Sequence, residues 1–480
     1  MSAPVLDAAV VGGGLAGLAA AHDLHRGGGS FVLLEATGRW GGVVRTERVD
    51  GFLMEGGPDT LLAQKPEGLR LCRDLGLAER LVPTSPERRT VFVLHRGRLH
   101  PLPEGLVLGV PTRLFALART SLFSWPGKLR MAADLVIPRG RSSGDESIAS
   151  FFRRRLGDEA LRRLGAPFLA GIHAGDAERL SLRATFPRLA EMEARHGSLI
   201  RALAAARAGA APAPPFLSLE GGLSEIVDAL VCRLPADRLR PHARVRALAR
   251  EAGGYVVRVE GQEDVRARAL VLAVPAPRAA ALVAPLDAEA GALLAAIPFA
   301  STAVVCLGYR REDVGHALDG YGLIVPESEG LRTTACGFFS TKFPGRAPPG
   351  HVLLRAFLGG ARDGGVLALA DDELQQTVRR EMGGVLGLVA PPVLSRVYRW
   401  PAATPQMEVG HFDRLAALER RLDGLPGLFL TGAGLRGTGI PDTVGDARRT
   451  AQRVLDAAGR NNVPSGTYRE RDGRRGSPEL

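Results

Sequence analysis

The feature that most constrains this chain is a glycine-rich turn near its N-terminus, set in the order strand, turn, helix, strand, acid. An apolar run, Leu6–Val11, predicts a buried parallel strand. The motif G-x-G-x-x-G follows at residues 12–17, and an alanine-rich stretch to about Arg26 predicts a helix. A second predicted strand, Phe31–Leu34, ends at Glu35. This order predicts a Rossmann-type dinucleotide-binding unit and places the chain in the α/β class.

Each glycine of the turn has its own physical role. Gly12 permits the tight turn, Gly14 lets a pyrophosphate approach the backbone, and Gly17 lets the helix pack close to the strand. Leu15 and Ala16 open the helix, whose unpaired N–H groups and partial positive charge favour phosphate. We therefore predict that all five residues contact the dinucleotide.

The acid that ends the second strand indicates which dinucleotide binds. Glu35 lies 18 residues after Gly17, where its carboxylate can accept hydrogen bonds from ribose hydroxyls, and Ala36 follows it as a further cofactor-binding candidate. A 2′-phosphate would be repelled by this carboxylate, which argues against NADP.

A second glycine segment, Arg39-Trp40-Gly41-Gly42-x-x-Arg45-Thr46, follows at once. It resembles the second nucleotide signature of the flavin-dependent amine oxidase and protoporphyrinogen oxidase superfamily. In that group the glycine pair and the basic residues lie along FAD. The resemblance therefore implies FAD contacts at Arg39, Gly41 and Gly42, whereas a solvated basic loop is the alternative.

Two internal segments sharpen this resemblance. Gly51–Thr60, GFLMEGGPDT, is similar to the E-x-G-P segment beside the flavin ring of porphyrinogen oxidases, which implies cofactor contacts at Gly57, Pro58 and Asp59. Phe168–Leu180, FLAGIHAGDAERL, resembles the G-[IVY]-[YFH]-A-G-D segment of protoporphyrinogen oxidases, which general amine oxidases do not share. The alternative for the latter is a glycine-punctuated turn between two helices.

The C-terminal part contains a third glycine segment. A predicted strand, Leu428–Thr431, leads into GAGLRGTGIPD at residues 432–442 and a helix to about Ala458. This segment formally repeats G-x-G-x-x-G, but no second strand with a terminal acid follows, so we reject a second nucleotide site. It resembles the closing FAD motif of the family, which implies cofactor contacts from the following residues: Gly432, Gly439, Ile440 and Pro441.

From these motifs the chain is identified as a member of the FAD-dependent protoporphyrinogen oxidase family, within the flavin amine oxidase superfamily. The resemblance implies an α/β fold with a Rossmann-type FAD domain of the p-hydroxybenzoate-hydroxylase and amine-oxidase kind, a mixed-sheet substrate domain and a helical membrane-binding domain. The expected division is FAD domain 1–82, 216–290 and 401–460; helical domain 83–200; flexible loop 201–215; substrate domain 291–400; and disordered tail 461–480.

Local patterns add three expectations about secondary structure. The pattern over residues 67–82 predicts a helix. A hairpin around Arg96-Gly97 is predicted by the two flanking runs, Val91–His95 and Arg98–His100. Residues 299–360 read as alternating strands and turns, which suits a mixed sheet over a pocket.

The activity that the resemblance implies is oxygen-dependent oxidation of protoporphyrinogen IX to the porphyrin in haem biosynthesis, with FAD as cofactor and hydrogen peroxide as by-product. Coproporphyrinogen III stays open as the substrate. The family's substrate-pocket residues fall at Gly171, which we also count as catalytic, and at Tyr321, Gly337 and Phe357. Val245 and Trp400 are further FAD-contact candidates. Ordinary core packing is the alternative for Tyr321, Gly337 and Phe357.

Asp59 departs from the family pattern, because some relatives have a basic or amide residue near this position, after the Gly-Pro. We hypothesise that Asp59 accepts a pyrrole N–H, or takes a proton as hydride leaves the meso carbon. The alternative is a turn aspartate that caps a helix at Thr60–Gln64.

Charge is unevenly spread over the chain, whose net value is +11. Residues 113–163 hold eleven Lys/Arg against five Asp/Glu, a net +6, so this segment suits an anionic membrane or a polycarboxylate substrate. A solvated helical face is the alternative. Aromatic residues make up 5%, and no nucleic-acid motif occurs, so nucleic acid is excluded as a partner.

Four cysteines lie far apart without metal-ligand spacing, so we expect no metal site and reduced thiols in a cytoplasmic protein. The N-terminus lacks a basic leader, and no uncharged apolar run reaches about 18 residues. We expect a cytoplasmic protein with peripheral contact to the inner face of the cell membrane, and leave a homodimer open.

Two other classes of function stay in view. A monoamine oxidase or a carotenoid desaturase is the enzymatic alternative, although no flavin-side lysine or aromatic cage can be placed and desaturases lack the GIHAGD-like segment. A partner-binding protein that has lost FAD, as in Rab escort and GDP-dissociation proteins, is the other alternative. The intact Glu35, the Gly41-Gly42 pair and residues 439–442 argue against it.

Overall fold

The computed structural model describes residues 5–107, 109–140, 144–207 and 215–459. The tail predicted at 461–480 lies outside the described residues, as does 208–214 of the predicted flexible loop. The first part of that loop is helical instead, because the helix Leu199–Arg207 continues through its alanines, the best helix formers.

The described chain contains strands throughout and a helix-rich middle. The strands are β1 Leu6–Val11, β2 Phe31–Leu34, β3 Thr46–Val49, β4 Phe52–Glu55, β5 Leu61–Leu62, β6 Leu81–Pro83, β7 Thr90–His95, β8 Arg98–Pro101, β9 Leu106–Val107, β10 Val110–Pro111, β11 Phe216–Leu219, β12 Leu239–Arg240, β13 Val245–Glu251, β14 Gly254–Val259, β15 Val265–Leu272, β16 Phe299–Arg310, β17 Gly320–Ile324, β18 Thr333–Phe338, β19 His351–Gly359, β20 Leu394–Pro405 and β21 Leu428–Leu430. The α-helices are α1 Leu15–Arg26, α2 Pro66–Asp74, α3 Leu114–Arg119, α4 Trp125–Ala132, α5 Ile148–Arg155, α6 Asp158–Ala160, α7 Ala166–His173, α8 Leu182–Thr185, α9 Pro187–His196, α10 Leu199–Arg207, α11 Ser224–Arg233, α12 Ala276–Val283, α13 Ala288–Ala295, α14 Phe339–Lys342, α15 Asp371–Leu386, α16 His411–Leu422 and α17 Ile440–Ala457.

The first sheet is built around β1, in the order β12-β2-β1-β15-β14-β13, with β21 also paired to β15. β1 pairs in parallel with β2 and β15, whereas β13 and β14 form an antiparallel edge. Helices α1, α11 and α17 cover one face, and α12, α13 and α16 contribute to the core on the other. Burial on both faces explains why the central strands are continuous apolar runs. The FAD-binding part of the predicted fold is thus an α/β unit whose strands come from distant parts of the chain.

The second sheet is mixed, in the order β20-β16-β19-β18-β17-β7-β8. All pairs are antiparallel except β7 with β17. One face packs against α15. The other face, which bears Ala335 and Phe357, packs against the helices α3–α10. The predicted hairpin is confirmed as β7–β8, and Arg96 and Gly97 at its turn have φ of 53° and 70°, as a type I′ turn requires.

Two local predictions are wrong. The helix predicted over 67–82 ends at Asp74, and β6 occupies its last part because β6 pairs with β11 from a distant segment. No helix forms at Thr60–Gln64 either, since β5 pairs with the same strand, so Asp59 is not the cap of a helix there.

Helices α3–α10 share a core of leucine and phenylalanine side chains with a charged centre. Arg155, fully buried, donates from Nε to Asp134 Oδ1 at 2.7 Å, and its other nitrogens reach backbone carbonyls. Ser198 Oγ donates to Asp134 Oδ2 at 2.6 Å. This buried ion pair is fully hydrogen-bonded, as a pair removed from water must be. Among the described residues, no helix has both the length and the apolar character needed to cross a bilayer.

Candidate active site

The first glycine segment is held by close backbone contacts. Gly12 has φ of +107°, and a Cβ placed on it would lie 2.6 Å from Ala273 O. A Cβ on Gly17 would lie 1.9 Å from Gly12 O, so α1 can approach β1 only with glycine there. Leu15 and Ala16 form the first turn of α1 and are buried. The turn therefore brings the N-terminus of α1 to the end of β1.

The second glycine segment lies directly against the first. Gly41 N donates to Gly13 O at 2.8 Å, and Gly14 forms an isolated parallel bridge with Gly41. A Cβ on Gly42 would lie 3.1 Å from Gly14 Cα, while a Cβ on Gly14 would meet only Gly42 Cα at 3.9 Å. Side chains on both residues would fill the space between the two segments. The backbone-lined cradle fits the pyrophosphate of a dinucleotide.

Glu35 stands at the edge of this cradle. Its Oε2 accepts from Gly13 N at 2.7 Å, and its Oε1 accepts from Thr37 N and Thr37 Oγ1, both at 2.8 Å. The side chain is half-buried, and Ala36 beside it is exposed. A carboxylate fixed by backbone donors at the end of β2 is placed to receive ribose hydroxyls.

Arg39 closes the second segment on itself rather than pairing with an acid. Its guanidinium donates to Trp40 O at 3.2 Å, to Val44 O at 3.0 Å and to Gly42 O. Burial lowers the pKa of Arg39, and the nearby Arg45 lowers it further. These contacts hold the Gly41-Gly42 turn, whose residues both have positive φ, in the shape that faces Gly14.

The third glycine segment reaches the first from the C-terminal end. A Cβ on Gly432 would lie 3.8 Å from Ala16 Cβ. Gly439 caps α17, and Ile440 and Pro441 form its first turn. The helix N-terminus thereby offers unpaired N–H groups and partial positive charge near the cradle. Val245, another predicted FAD contact, lies outside the three glycine segments. It begins the edge strand β13, where it pairs with Val259.

The loop after β4, residues 56–59, lies between the two sheets. A Cβ on Gly57 would lie 1.7 Å from Val43 O, so this loop touches the second glycine segment. Gly56 rests against the Tyr398 ring, and Trp400 Nε1 donates to Gly56 O at 2.7 Å. Both aromatic residues lie on β20 of the second sheet. The loop is therefore anchored on both sides of the cleft.

Asp59, at the end of this loop, is ionised by its surroundings. Lys342 Nζ donates to Asp59 Oδ2 at 3.0 Å, and a guanidinium nitrogen of Arg355 lies 3.5 Å from the same oxygen. Burial alone would raise the pKa of Asp59, but Lys342 and then Arg355 outweigh it and lower the pKa to about 2. The Arg355 guanidinium also donates to Gly57 O and lies 4.6 Å from the Phe357 ring centre.

Three of the four predicted pocket residues meet at one face of the second sheet. Gly337 pairs with Arg355 and Phe357 pairs with Ala335, so their side-chain positions share that face. Gly171, on α7, lies over it, since a Cβ there would be 3.4 Å from Ala335 Cβ. A Cβ on Gly337 would have no neighbour closer than 3.8 Å, which leaves open space above the strand. Tyr321 is adjacent on β17, and its hydroxyl donates to Ser85 O at 2.8 Å.

The GIHAGD-like segment also reaches the start of α17. The pKa of His173 is lowered to about 4, first by burial and then by Lys65, so the imidazole is neutral at pH 7. Lys65 Nζ donates to both carboxylate oxygens of Asp442, at 2.7 and 2.6 Å. The His173 ring meets the Phe186 ring edge-on at 5.6 Å. The residues after Gly171 thus border the same cleft as the third glycine segment.

Sequence reasoning missed three charged residues of the cleft: Glu55, Lys342 and Arg355. Motif spacing did not reveal the two cations, because Lys342 on α14 and Arg355 on β19 lie far along the chain from Asp59. A compositional signal was present, since the chain has three lysines among its 62 Lys and Arg residues. Two of the three, Lys65 and Lys342, pair with an aspartate in this cleft.

Comparison with known proteins identifies the family of the chain. The model of the flavin-containing amine oxidoreductase family matches residues 15–455. Coproporphyrinogen III oxidase of Bacillus subtilis (strain 168) is 32% identical over 460 residues, covering 93% of this chain and 97% of that protein. The chloroplastic protoporphyrinogen oxidase 1 of Spinacia oleracea is 33% identical over 491 residues, covering 94% of this chain and 84% of that protein.

A solved structure shows the same similarity in three dimensions. A crystal structure assigned to the protoporphyrinogen oxidases, from Exiguobacterium sp. 255-15, superposes with a TM-score of 0.84 at 32% identity. It covers 95% of this chain and 100% of that one. The chain therefore belongs to the flavin-containing amine oxidoreductase family, in the branch that holds the porphyrinogen oxidases, and it is an FAD-dependent oxidoreductase.

Proposed function

We propose that this protein oxidises a porphyrinogen to the corresponding porphyrin in haem biosynthesis. One geometric observation carries the proposal: Gly171, Gly337 and Phe357 border one open face of the second sheet. Arg355 lies on the same face and connects it to the loop that ends in Asp59. A flat macrocycle could lie on this face with a meso carbon toward the loop. The names of the two similar proteins support the same class of substrate.

The cofactor roles follow from the three glycine segments. FAD, when bound, accepts electrons from the substrate two at a time and passes them to oxygen, yielding hydrogen peroxide, so three cycles complete the six-electron oxidation. Gly12, Gly14 and Gly17 would lie along its pyrophosphate, and Glu35 would receive its ribose. The other residues that we propose as FAD contacts are Leu15, Ala16, Ala36, Arg39, Gly41, Gly42, Gly57, Pro58, Asp59, Val245, Trp400, Gly432, Gly439, Ile440 and Pro441.

Asp59 serves in this proposal as an anionic hydrogen-bond acceptor for a pyrrole N–H. Its low pKa, caused by Lys342 and Arg355, makes it a weak base, which disfavours the second role considered for it, uptake of a proton. A fixed carboxylate also favours the positive charge that develops on the macrocycle as hydride leaves. Gly171 contributes space, since a larger residue there would project toward Ala335 and the open face.

Protoporphyrinogen IX is our first candidate substrate, because Phe357 and Ala335 on that face belong to a cluster of apolar side chains. Coproporphyrinogen III is the second. Two similar bacterial proteins carry that name, at 32% identity for Bacillus subtilis and 35% for Propionibacterium freudenreichii.

The test is an aerobic fluorescence assay of porphyrin formation by the FAD-loaded protein, with the two porphyrinogens side by side. We expect porphyrin to appear with one or both, accompanied by hydrogen peroxide. If neither is oxidised faster than in the absence of protein, the proposed activity is wrong. The ratio of the two rates decides between the candidates.

We further propose that the segment 105–140 docks on the cytoplasmic face of an anionic membrane. Four apolar side chains are unusually exposed there: Phe115 (74%), Trp125 (66%), Leu129 (69%) and Val136 (80%). Lys128 Nζ lies 4.5 Å from the Trp125 ring centre, and Arg119 lies over the Phe115 ring at 5.5 Å. Apolar side chains flanked by cations are typical of interfacial membrane segments.

Flotation with vesicles of anionic lipid tests this proposal. We expect the protein to float with the vesicles, and a Phe115→Glu/Trp125→Glu double variant to stay at the bottom of the gradient. Val389→Glu, which changes an equally exposed residue of the second-sheet region, is the matched control and should float. Equal flotation of the double variant and the wild type would exclude docking through this segment.

A further inference from the structure

Lysine is rare in this chain, and its placement is informative. The sequence contains 59 arginines and only three lysines, at positions 65, 128 and 342. Two of these pair with aspartates in the active-site cleft, whereas almost every other ion pair uses arginine. A lysine ammonium is a compact point charge, while a guanidinium is a planar fork that needs more room. The cleft therefore holds lysine where the geometry calls for a single small cation.

Lys342 is held at Asp59 by the end of a short helix. It is the last residue of α14, and its side chain is 17% exposed, close to the 19% of Asp59. Its ammonium lies 5.3 Å from the Phe343 ring centre and 5.8 Å from that of Phe216, so aromatic faces border it on the other side. Asp59 Oδ2, at 3.0 Å, is its acidic partner.

The charges around this pair do not balance. Arg355 faces Asp59 from β19, and Arg346 acts on it from the turn before that strand. Two further acids, Glu55 and Glu225, act on Arg346, and burial raises the pKa of Glu55 to about 7. Two cations, Lys342 and Arg355, therefore lie within ion-pair distance of Asp59, so removing one of them lets the burial of this carboxylate count more strongly.

We propose that Lys342 is a positioning residue for the oxidation, which together with Arg355 fixes Asp59 as a permanent anion at the loop beside the flavin. The inference rests on the proposed function for its catalytic meaning, but the charge state of Asp59 can be measured without substrate. Lys342 itself touches neither the reacting carbon nor the cofactor in this account. It acts through the carboxylate that it holds.

The experiment follows the visible absorption spectrum of bound FAD as a function of pH, with no porphyrinogen present. The variants are Lys342→Met and the conservative Lys342→Arg, each with Asp59 intact, and the double variant Lys342→Met/Asp59→Asn. Arg421→Met is the matched control, because Arg421 pairs with Asp287 in a similar way, away from the cleft. Lys342→Gln replaces the methionine variant if that protein does not fold.

In Lys342→Met we expect a spectral transition at a pH about one to three units above any transition of the wild type, since a neighbouring opposite charge shifts a carboxyl by about that much. Lys342→Arg should restore most of the wild-type behaviour, and Arg421→Met should match the wild type. The acid limb of the turnover profile should move by the same amount as the spectrum.

Three results would overturn the inference: no transition shift in Lys342→Met, a shift of equal size in Arg421→Met, or a transition that survives in the double variant. The spectral titration separates the inference from the proposed function. If the shift is found but no porphyrinogen is oxidised, then the role of Lys342 in keeping Asp59 ionised is supported and the proposed substrate is wrong.

Discussion

At the residue scale, two acids only four residues apart, Glu55 and Asp59, have pKa values shifted in opposite directions. Glu55 accepts from Thr46 Oγ1 at 2.7 Å and from Leu223 N at 2.8 Å, but full burial raises its pKa to about 7. Four residues later, Asp59 has its pKa lowered to about 2 because Lys342 and Arg355 outweigh its burial. Burial acts on both carboxyls, and the difference is that only Asp59 has cations within ion-pair distance.

Glu55 gives the folded protein a pH-dependent stability. Its folded pKa lies above the ordinary value of 4.5, so its contribution is fully present below about pH 4.5 and is lost as pH rises through about 7. Glu55→Gln removes this loss. We therefore expect the free energy of unfolding of the variant, minus that of the wild type, to be ~3 kcal/mol larger at pH 8 than at pH 5. Urea unfolding at both pH values measures it, and an unchanged difference would contradict the pKa shift.

Gly17 tests the close approach of α1 to β1. Gly17→Ala places a methyl group 1.9 Å from Gly12 O, so the backbone of the cradle must move. We expect a loss of about 1–3 kcal/mol in unfolding free energy and of most bound FAD.

Gly384→Ala is the matched control for this change. Gly384 is an exposed residue inside α15, its φ is not positive, and a methyl group added to it would meet no atom within 4 Å. The substitution should raise stability by about 0.5–1 kcal/mol and leave the FAD content unchanged. If both variants bind FAD alike, then Gly17 is not required for the cradle.

At the element scale, the helical segment is organised around a buried ion pair. Arg155 on α5 and Asp134 are both fully buried, while Arg153, two residues earlier on the same helix, pairs with acids at the surface. Removing the buried arginine leaves Asp134 in the core without its cationic partner. We expect Arg155→Met to cost about 3–5 kcal/mol, and Arg153→Met to cost less than about 1 kcal/mol. Thermal unfolding of the two variants measures these losses of stability. Equal losses would show that the buried ion pair contributes no more to the stability of the helical segment than the surface pairs do.

Elements set by local sequence were predicted well, and elements set by distant pairing were not. β1, α1 and β2 follow from an apolar run, glycines at fixed spacing and alanine-rich helix propensity, and the β7–β8 hairpin follows from Arg96-Gly97. Local patterns predict helix over the residues of β5 and β6. They are strands instead, because both pair with β11, which lies more than a hundred residues further along the chain. Their conformation depends on a partner that no local pattern reveals.

At the scale of the whole molecule, the cleft is assembled from segments that are far apart in sequence. The first two glycine segments meet at Gly14 and Gly42, and the third reaches the first where Gly432 lies near Ala16. Each segment carried a motif that sequence reasoning could find. Lys342 and Asp59 are 283 residues apart, and no motif joins them. The second sheet supplies the open face and Arg355, and helix α14 supplies Lys342. The sequence alone therefore did not predict the charge of the cleft.

The central claim is that electrons pass from a porphyrinogen to the FAD held in this cleft. Anaerobic mixing of the FAD-loaded protein with protoporphyrinogen IX, and separately with coproporphyrinogen III, measures this transfer directly. We predict that the visible absorption of the flavin bleaches with at least one of them and returns when oxygen is admitted. A flavin that stays oxidised with both porphyrinogens would contradict the account.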